Sequence, residues 1–237
     1  MNVVLVRVGI DSGSGGIQGP LLAGGGFEFI PIPDGHKLAA ESYGNTMGRH
    51  GRRLVEYFPP RMQARVMDVP MHSDPEWQSF TYGDPTPPKA VLRRLQPGDL
   101  LVFYCGLQGW DFPSAPALYL AGFFEVEWAG LAPEFSPREV QTLFAQNFHV
   151  RHRALFRQQR DKLVLVKGSA DSRLFERAYR ISAPGRDLRG TPLKVLSTEA
   201  QNVFGDFGGK ISIQRSTPRW VAPEWAERAA AYLRSLE

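Results

Sequence analysis

The chain has 237 residues, is 43% hydrophobic, and balances 28 Lys+Arg against 24 Asp+Glu for a formal net charge of +4. That suits a globular protein with a real core, and the mild basicity permits an anionic partner without requiring one. The one cysteine, Cys105, excludes a disulfide scaffold and a cysteine-rich zinc site, and no apolar run reaches the roughly 18 residues of a membrane span. With no basic stretch leading into a long apolar segment at the N-terminus, the expectation is a cytoplasmic protein that does not enter a membrane.

The first element is a short apolar strand at residues 3–6, followed by Arg7 and a loop of small and hydroxyl residues, Asp11-Ser12-Gly13-Ser14-Gly15-Gly16, closed by Pro20. The loop lacks the Gly-Lys-Ser/Thr ending of a P-loop. Its glycines miss the dinucleotide-binding offsets, and Gly24-Gly25-Gly26 rather than a helix follows. Two readings stand. One is a surface turn. In the other, Ser12, Ser14 and the Gly15 and Gly16 amides hold phosphate or base edges, Arg7 neutralises a phosphate, and Asp11 accepts a hydrogen bond or acts as a base.

Residues 27–33 read as an edge strand, because proline is tolerated there. Residues 52–58 predict a brief helix and 65–69 a strand. His72-Ser73-Asp74-Pro75 follows. Its His and carboxylate could share a strand face as an acid–base pair, or Asp74-Pro75 could start a turn beside a structural histidine. Only two ligand types adjoin there, so no metal site is assigned, and no cofactor is identified.

Residues 89–95 have helical spacing and end at Pro97-Gly98-Asp99. Residues 100–104 and 118–128 predict an antiparallel strand pair joined by an irregular loop. Leu118, Leu120, Phe124, Val126 and Trp128 are expected on one face of the second strand. Ser136, Pro137 and Glu139 spell an N-cap, a first-turn proline and a capping box for a helix ending near Asn147. Residues 163–166 predict a strand, 172–179 a helix and 197–204 a helix. Pro223 opens a final helix with Trp225, Ala229, Tyr232, Leu233 and Leu236 on one face.

From Arg151 to Arg189 there are eleven Lys+Arg and four Asp+Glu. That segment, with Arg151 and Arg153 at its head and His149, His152 and Phe156 nearby, reads either as a nucleic-acid contact or as a solvated basic face. Cys105 lies within an apolar run, where a buried inert thiol is the expectation. The whole chain, residues 1–237, is treated as one α+β domain: a mainly antiparallel, curved or barrel-like sheet with several packed helices.

The order of several short motifs carries a resemblance. Arg7-x-Gly9-Ile10-Asp11-Ser12 with Gly15-Gly16, the Ile30-Pro31-Ile32-Pro33 stretch, His72-x-Asp74-Pro75, Gly98-Asp99-Leu100 and Asn147-Phe148-His149-Val150 together resemble the third type of nucleotide-modification-associated domain. The likeness spans at least residues 3–180. Ser73 and Gly83-Asp84 depart from the family's usual residues. The resemblance implies an α+β domain that binds a nucleotide or nucleic acid and acts in making or handling modified DNA bases. It implies a site built from Asp11, His72, Asp74 and the His149 region, and leaves open whether chemistry is performed. A shorter likeness, over residues 92–128, is to the central hairpin of PUA-like barrels, and implies a noncatalytic reader of modified bases instead.

Overall fold

The structure is a computed structural model that describes residues 1–214 and 217–237. Its strands in chain order are β1 (Val3–Arg7), β2 (Gly19–Leu21), β3 (Ile32–Pro33), β4 (Met71–His72), β5 (Thr81–Asp84) and β6 (Leu100–Gly109). They continue with β7 (Ala117–Leu131), β8 (Val164–Gly168), β9 (Arg173–Arg180), β10 (Ser182–Arg186), β11 (Pro192–Leu196) and β12 (Arg219–Trp220). The helices are α1 (Pro60–Val66), α2 (Pro137–Leu143), α3 (Phe148–Arg151), α4 (Arg153–Gln159), α5 (Thr198–Phe204) and α6 (Pro223–Ser235).

The main sheet runs β12-β1-β6-β7-β8-β5, with β2 against β6 and β9 against β7. Val3, Val4, Leu5 and Val6 are fully buried, as suits a strand with both faces covered. β1 lies parallel to β6, with Leu5 opposite Val102, and β2 is also parallel to β6. β6 and β7 pair antiparallel, as their sequences indicate. The class is therefore α+β, but the sheet is mixed and ends at β12 and β5 without closing into a barrel. Five of its seven pairings are antiparallel, so the sheet is mainly antiparallel as expected; its open ends correct the barrel-like expectation and remove the architectural basis for the PUA-like likeness. The crossover from β1 to β6 takes more than ninety residues, too far for neighbouring sequence patterns to reveal a parallel pairing.

Four local expectations are also corrected. Residues 172–179 form strand β9, not a helix. β7 offers an edge, Phe175 is fully buried there with its ring 5.9 Å from Phe123, and pairing outweighs the helical spacing of Leu174, Phe175 and Ala178. Residues 65–69 are not a strand: α1, with Pro60 in its first turn, runs through Val66. In the 27–33 stretch only β3 is a strand. Trp128 is 44% exposed rather than on the buried face, because the β7–β8 register shifts between Val126 and Trp128 and reverses the alternation beyond it.

The Ser136 capping box forms as read: Ser136 accepts from Glu139 N, and Glu139 from Ser136 N. α6 buries Ala226, Ala229, Ala230 and Leu233 and packs beside α5 and β1. Asp99, 3% exposed, joins the start of β6 to the N-terminus. Its carboxylate accepts from Asn2 N at 2.6 Å, Asn2 Nδ2 at 2.9 Å and Gln96 N at 2.9 Å. Asp99→Ala leaves those donors without their acceptor, so a loss of about 2 kcal/mol in urea unfolding is expected.

Candidate functional site

β1 ends at Arg7, and Gly9, at φ +73°, turns the chain out of the sheet beneath the Phe29 ring. The opening loop then closes on Asp11. The Asp11 carboxylate accepts from Gly13 N at 2.7 Å and Ser14 N at 2.8 Å, and its carbonyl accepts from Gly15 N at 2.9 Å and Gly16 N at 3.1 Å. Arg7 Nη2 lies 3.2 Å from Asp11 Oδ2, and Arg7 Nη1 donates to the Gln214 carbonyl. Burial pushes Asp11 up, but the Ser14 and Gly13 amides and the Arg7 charge outweigh it and hold the carboxyl below its usual range. A carboxylate held this way is a firm hydrogen-bond acceptor and a weak base. The Gly13, Ser14, Gly15 and Gly16 amides and the Ser14 hydroxyl are already engaged by Asp11, so the cation at the loop is Arg7.

Arg7, Asp11 and Ser14 line one wall of a cleft of about 600 Å³. The other wall comes from the β4–β5 region and the 3-10 helix Pro87–Arg94: Asp74, Tyr82, Asp84 and Lys89. The Asp74 carboxyl accepts from Gly83 N at 3.2 Å, and burial first, then the Asp84 charge, holds it well above the usual carboxylate range. Asp84 accepts from the Tyr82 hydroxyl at 3.0 Å and from Thr86 N at 2.7 Å. Lys89 is 4% exposed, with Nζ 5.9 Å from the centre of the Tyr82 ring. Burial pulls it down to about 8, against the opposing pull of Asp84 and Asp74. Burial thus moves the carboxyl up and the amine down, so that both are displaced toward neutrality within one cleft.

The structure brings Arg7, Asp11, Ser14 and Asp74 together, and places His72 elsewhere. His72 lines a second cavity, about 570 Å³, with Phe29, Arg49, Glu76, Trp77 and Arg151. Its ring stacks on Phe148 at 4.0 Å, and burial, then the nearby His149, pushes it down to about 4, so it is neutral at physiological pH. His149 is buried and bonds Gln159 Oε1 through Nδ1 at 2.7 Å. Ser12 is exposed beside the cleft loop, Gly15 packs on Ile10, and Gly16 lines a separate hollow with Pro59 and Trp110. Arg151 lies 3.5 Å from Glu41, and Arg153 is exposed on α4. The basic segment 151–189 is distributed over α3, α4, β8, β9 and β10. Cys105 is buried, and burial raises its thiol to about 12. Among the described residues no group of three or more His, Cys, Asp or Glu is arranged to hold a metal.

Tyr82, Asp84, Lys89 and Glu76 were not singled out from the sequence. The signal for Lys89 is there in hindsight. A 3-10 helix has three residues per turn, so Lys89, Leu92 and Leu95 stack on one face, and the latter two are 0% and 2% exposed. Tyr82 and Asp84 share a face of β5 by strand alternation.

Glu76 borders the second cavity. Its Oε1 accepts from Phe148 N at 2.8 Å, and burial raises it from 4.5 to about 7, with Arg151 opposing. Below pH 4.5 both folded and unfolded chains are protonated at this group, and above pH 7 neither is. Wild-type stability therefore declines between those values relative to Glu76→Gln, which keeps the acceptor but cannot ionise. Urea unfolding is expected to show equal stabilities at pH 4 and an advantage of about 2 kcal/mol for the variant at pH 8, after discount for partial exposure.

The cleft thus joins the end of β1, with its Arg7–Asp11 pair, to Asp74, Asp84 and the buried Lys89 in a mixed α+β sheet protein. The chain belongs to the nucleotide modification associated domain 3 family, whose match covers residues 2–235 and so includes the β10–β11 hairpin and α6. No curated protein and no solved structure matches it.

Proposed function

We propose that the cleft between Arg7 and Lys89 binds a nucleotide or a nucleic-acid base, and that the protein acts in DNA base modification. The observation that supports this most is the meeting of the opening loop with Asp74, Asp84 and Lys89 around a volume that accommodates a nucleotide. Family membership supports the setting. In this reading Arg7 and Lys89 face the phosphate, and Asp11 and Asp84 accept hydrogen bonds from the base or sugar. Burial raises the Asp74 carboxyl, so Asp74 is suited to donate a proton, and the site to chemistry as well as binding.

A second reading, a noncatalytic reader, has one observation in its favour: the cavity lined by Phe29 and Trp77, whose rings meet edge to face at 5.8 Å. The two readings part on which pocket takes the ligand.

Calorimetric titration with deoxynucleoside monophosphates tests the proposal. Arg7→Met is expected to weaken binding about tenfold or more, the equivalent of about 1.4 kcal/mol. Glu76→Gln, in the other cavity, is expected to bind as wild type does. Loss of binding in Glu76→Gln with none in Arg7→Met would transfer the site to the Trp77 cavity.

A further inference from the structure

β10 and β11 form a two-stranded hairpin separate from the main sheet, with Arg186 opposite Pro192 at its far end. Its tip is held firmly. The Asp187 carboxylate accepts from Arg189 N and Thr191 N, both at 2.8 Å, and Arg186 Nη1 donates to the Gly190 carbonyl at 2.7 Å. Gly190, at φ +78°, completes the turn by donating to the Asp187 carbonyl at 2.9 Å. On this ordered tip sits Leu188, with a relative exposure of 107%; among the described residues every other exposed large apolar side chain is at 58% or below. An isolated exposed leucine needs no explanation by itself. This one stands between Arg186 and Arg189, on a hairpin that also carries Lys194, and the only carboxylate on the hairpin is Asp187, engaged by the tip amides.

A groove of about 800 Å³ runs along the hairpin, with Lys210 and Arg219 on its far side. Gln214 lines both this groove and the Arg7–Lys89 cleft, so the two share a wall. Lys194 N donates to Gln214 Oε1 at 2.9 Å, which fastens the hairpin to the cleft's edge.

We infer that the β10–β11 hairpin is a nucleic-acid prong, and that the cleft receives a base belonging to duplex DNA rather than a free nucleotide. Leu188 presses into a base step while Arg186, Arg189, Lys210 and Arg219 meet the phosphates of a strand lying in the groove. The charge of the prong and groove matches that occupant, and an apolar wedge on a rigid mount is how proteins unstack a step and draw a base outward. The inference rests on the proposed reading of the cleft.

Its test uses the full chain, a deoxynucleoside monophosphate, and a 20-base-pair duplex containing 2-aminopurine. Wild type is expected to bind the duplex with a steep salt dependence and to raise the 2-aminopurine fluorescence as the step opens. Leu188→Ala, at a fully exposed position, is expected to abolish that fluorescence rise and weaken duplex binding about tenfold, with monophosphate binding unchanged. The double variant Arg186→Ala/Arg189→Ala is expected to lower the salt slope by about two. Duplex binding and fluorescence in Leu188→Ala equal to wild type would overturn the prong. So would monophosphate binding without any duplex binding, though that result leaves the cleft reading intact. Duplex binding that depends on Leu188 while no monophosphate binds and Arg7→Met is silent would leave the prong and overturn the cleft.

Discussion

Lys89→Met is expected to make the protein more stable at neutral pH and to remove nucleotide binding. In the fold, burial pulls Lys89 from 10.5 to about 8. Between those values the unfolded chain holds a proton that the native state has released, so native stability rises with pH across that window. Below pH 8 both states are protonated, and the native state bears the full cost of a buried ammonium. That cost is about 3 kcal/mol, because lowering a pKa by one costs about 1.4 kcal/mol. Methionine has similar length and no charge, so the variant is relieved of that cost at pH 7, and its advantage shrinks to nothing by about pH 10.5. Loss of the cation facing Asp84 and the ligand phosphate is expected to weaken monophosphate binding by about tenfold or more. Urea unfolding at pH 7 and pH 10, with calorimetry at pH 7, checks both halves. A variant that is less stable at both pH values and binds normally would show that Lys89 is a packing residue. Gain of stability with loss of binding is the pattern expected when a strained polar group is kept for function.

The second large effect concerns Gly122. On β7, a Cβ there would collide with the Arg173 carbonyl oxygen of β9 and stand 2.7 Å from the Trp77 ring and 2.9 Å from Leu174 Cα. Two of these three obstacles are backbone, so relief requires moving β9 off the sheet. Gly122→Ala is expected to cost about 3 kcal/mol, at the upper end for overpacking. Trp77 lies in the same segment as His72 and Asp74, and its ring packs edge to face on Phe103 at 5.3 Å and Phe124 at 5.5 Å. Displacing Trp77 therefore disturbs both pockets, and a fall in binding is expected alongside the fall in the urea midpoint. Near-wild-type stability would mean that β9 is a loosely held edge.

These residues show what a sequence reading can reach. Local chemistry was legible: the Ser136 capping box, the apolar β1, β6 and β7, the turn at Asp99 and the helix from Pro223 all follow from neighbours within a few positions. What depended on partners distant in the chain was not. β9 reads as a helix until β7 is beside it, and the parallel β1–β6 pairing leaves no local mark. The site divides the same way. Arg7, Asp11, Ser14 and Asp74 were singled out by residue type and motif order, and they do line one cleft. His72 and Asp74, two residues apart, were read as sharing a face, yet they line different pockets, because the strand ends at His72 and alternation does not continue past it. Asp84 registers in the sequence only as a departure from the family's pattern, and Lys89 is not legible because a charged residue beside prolines reads as surface until the fold turns it inward.

The central claim is that the ligand lies between Arg7 and Lys89. A crystal structure of the protein with a deoxynucleoside monophosphate tests it most directly. Density is expected in that cleft, with the phosphate within hydrogen-bonding reach of Arg7 or Lys89 and the base or sugar against Asp11 or Asp84. Density only in the cavity lined by His72 and Trp77, with the Arg7–Lys89 cleft empty at saturating ligand, would contradict it.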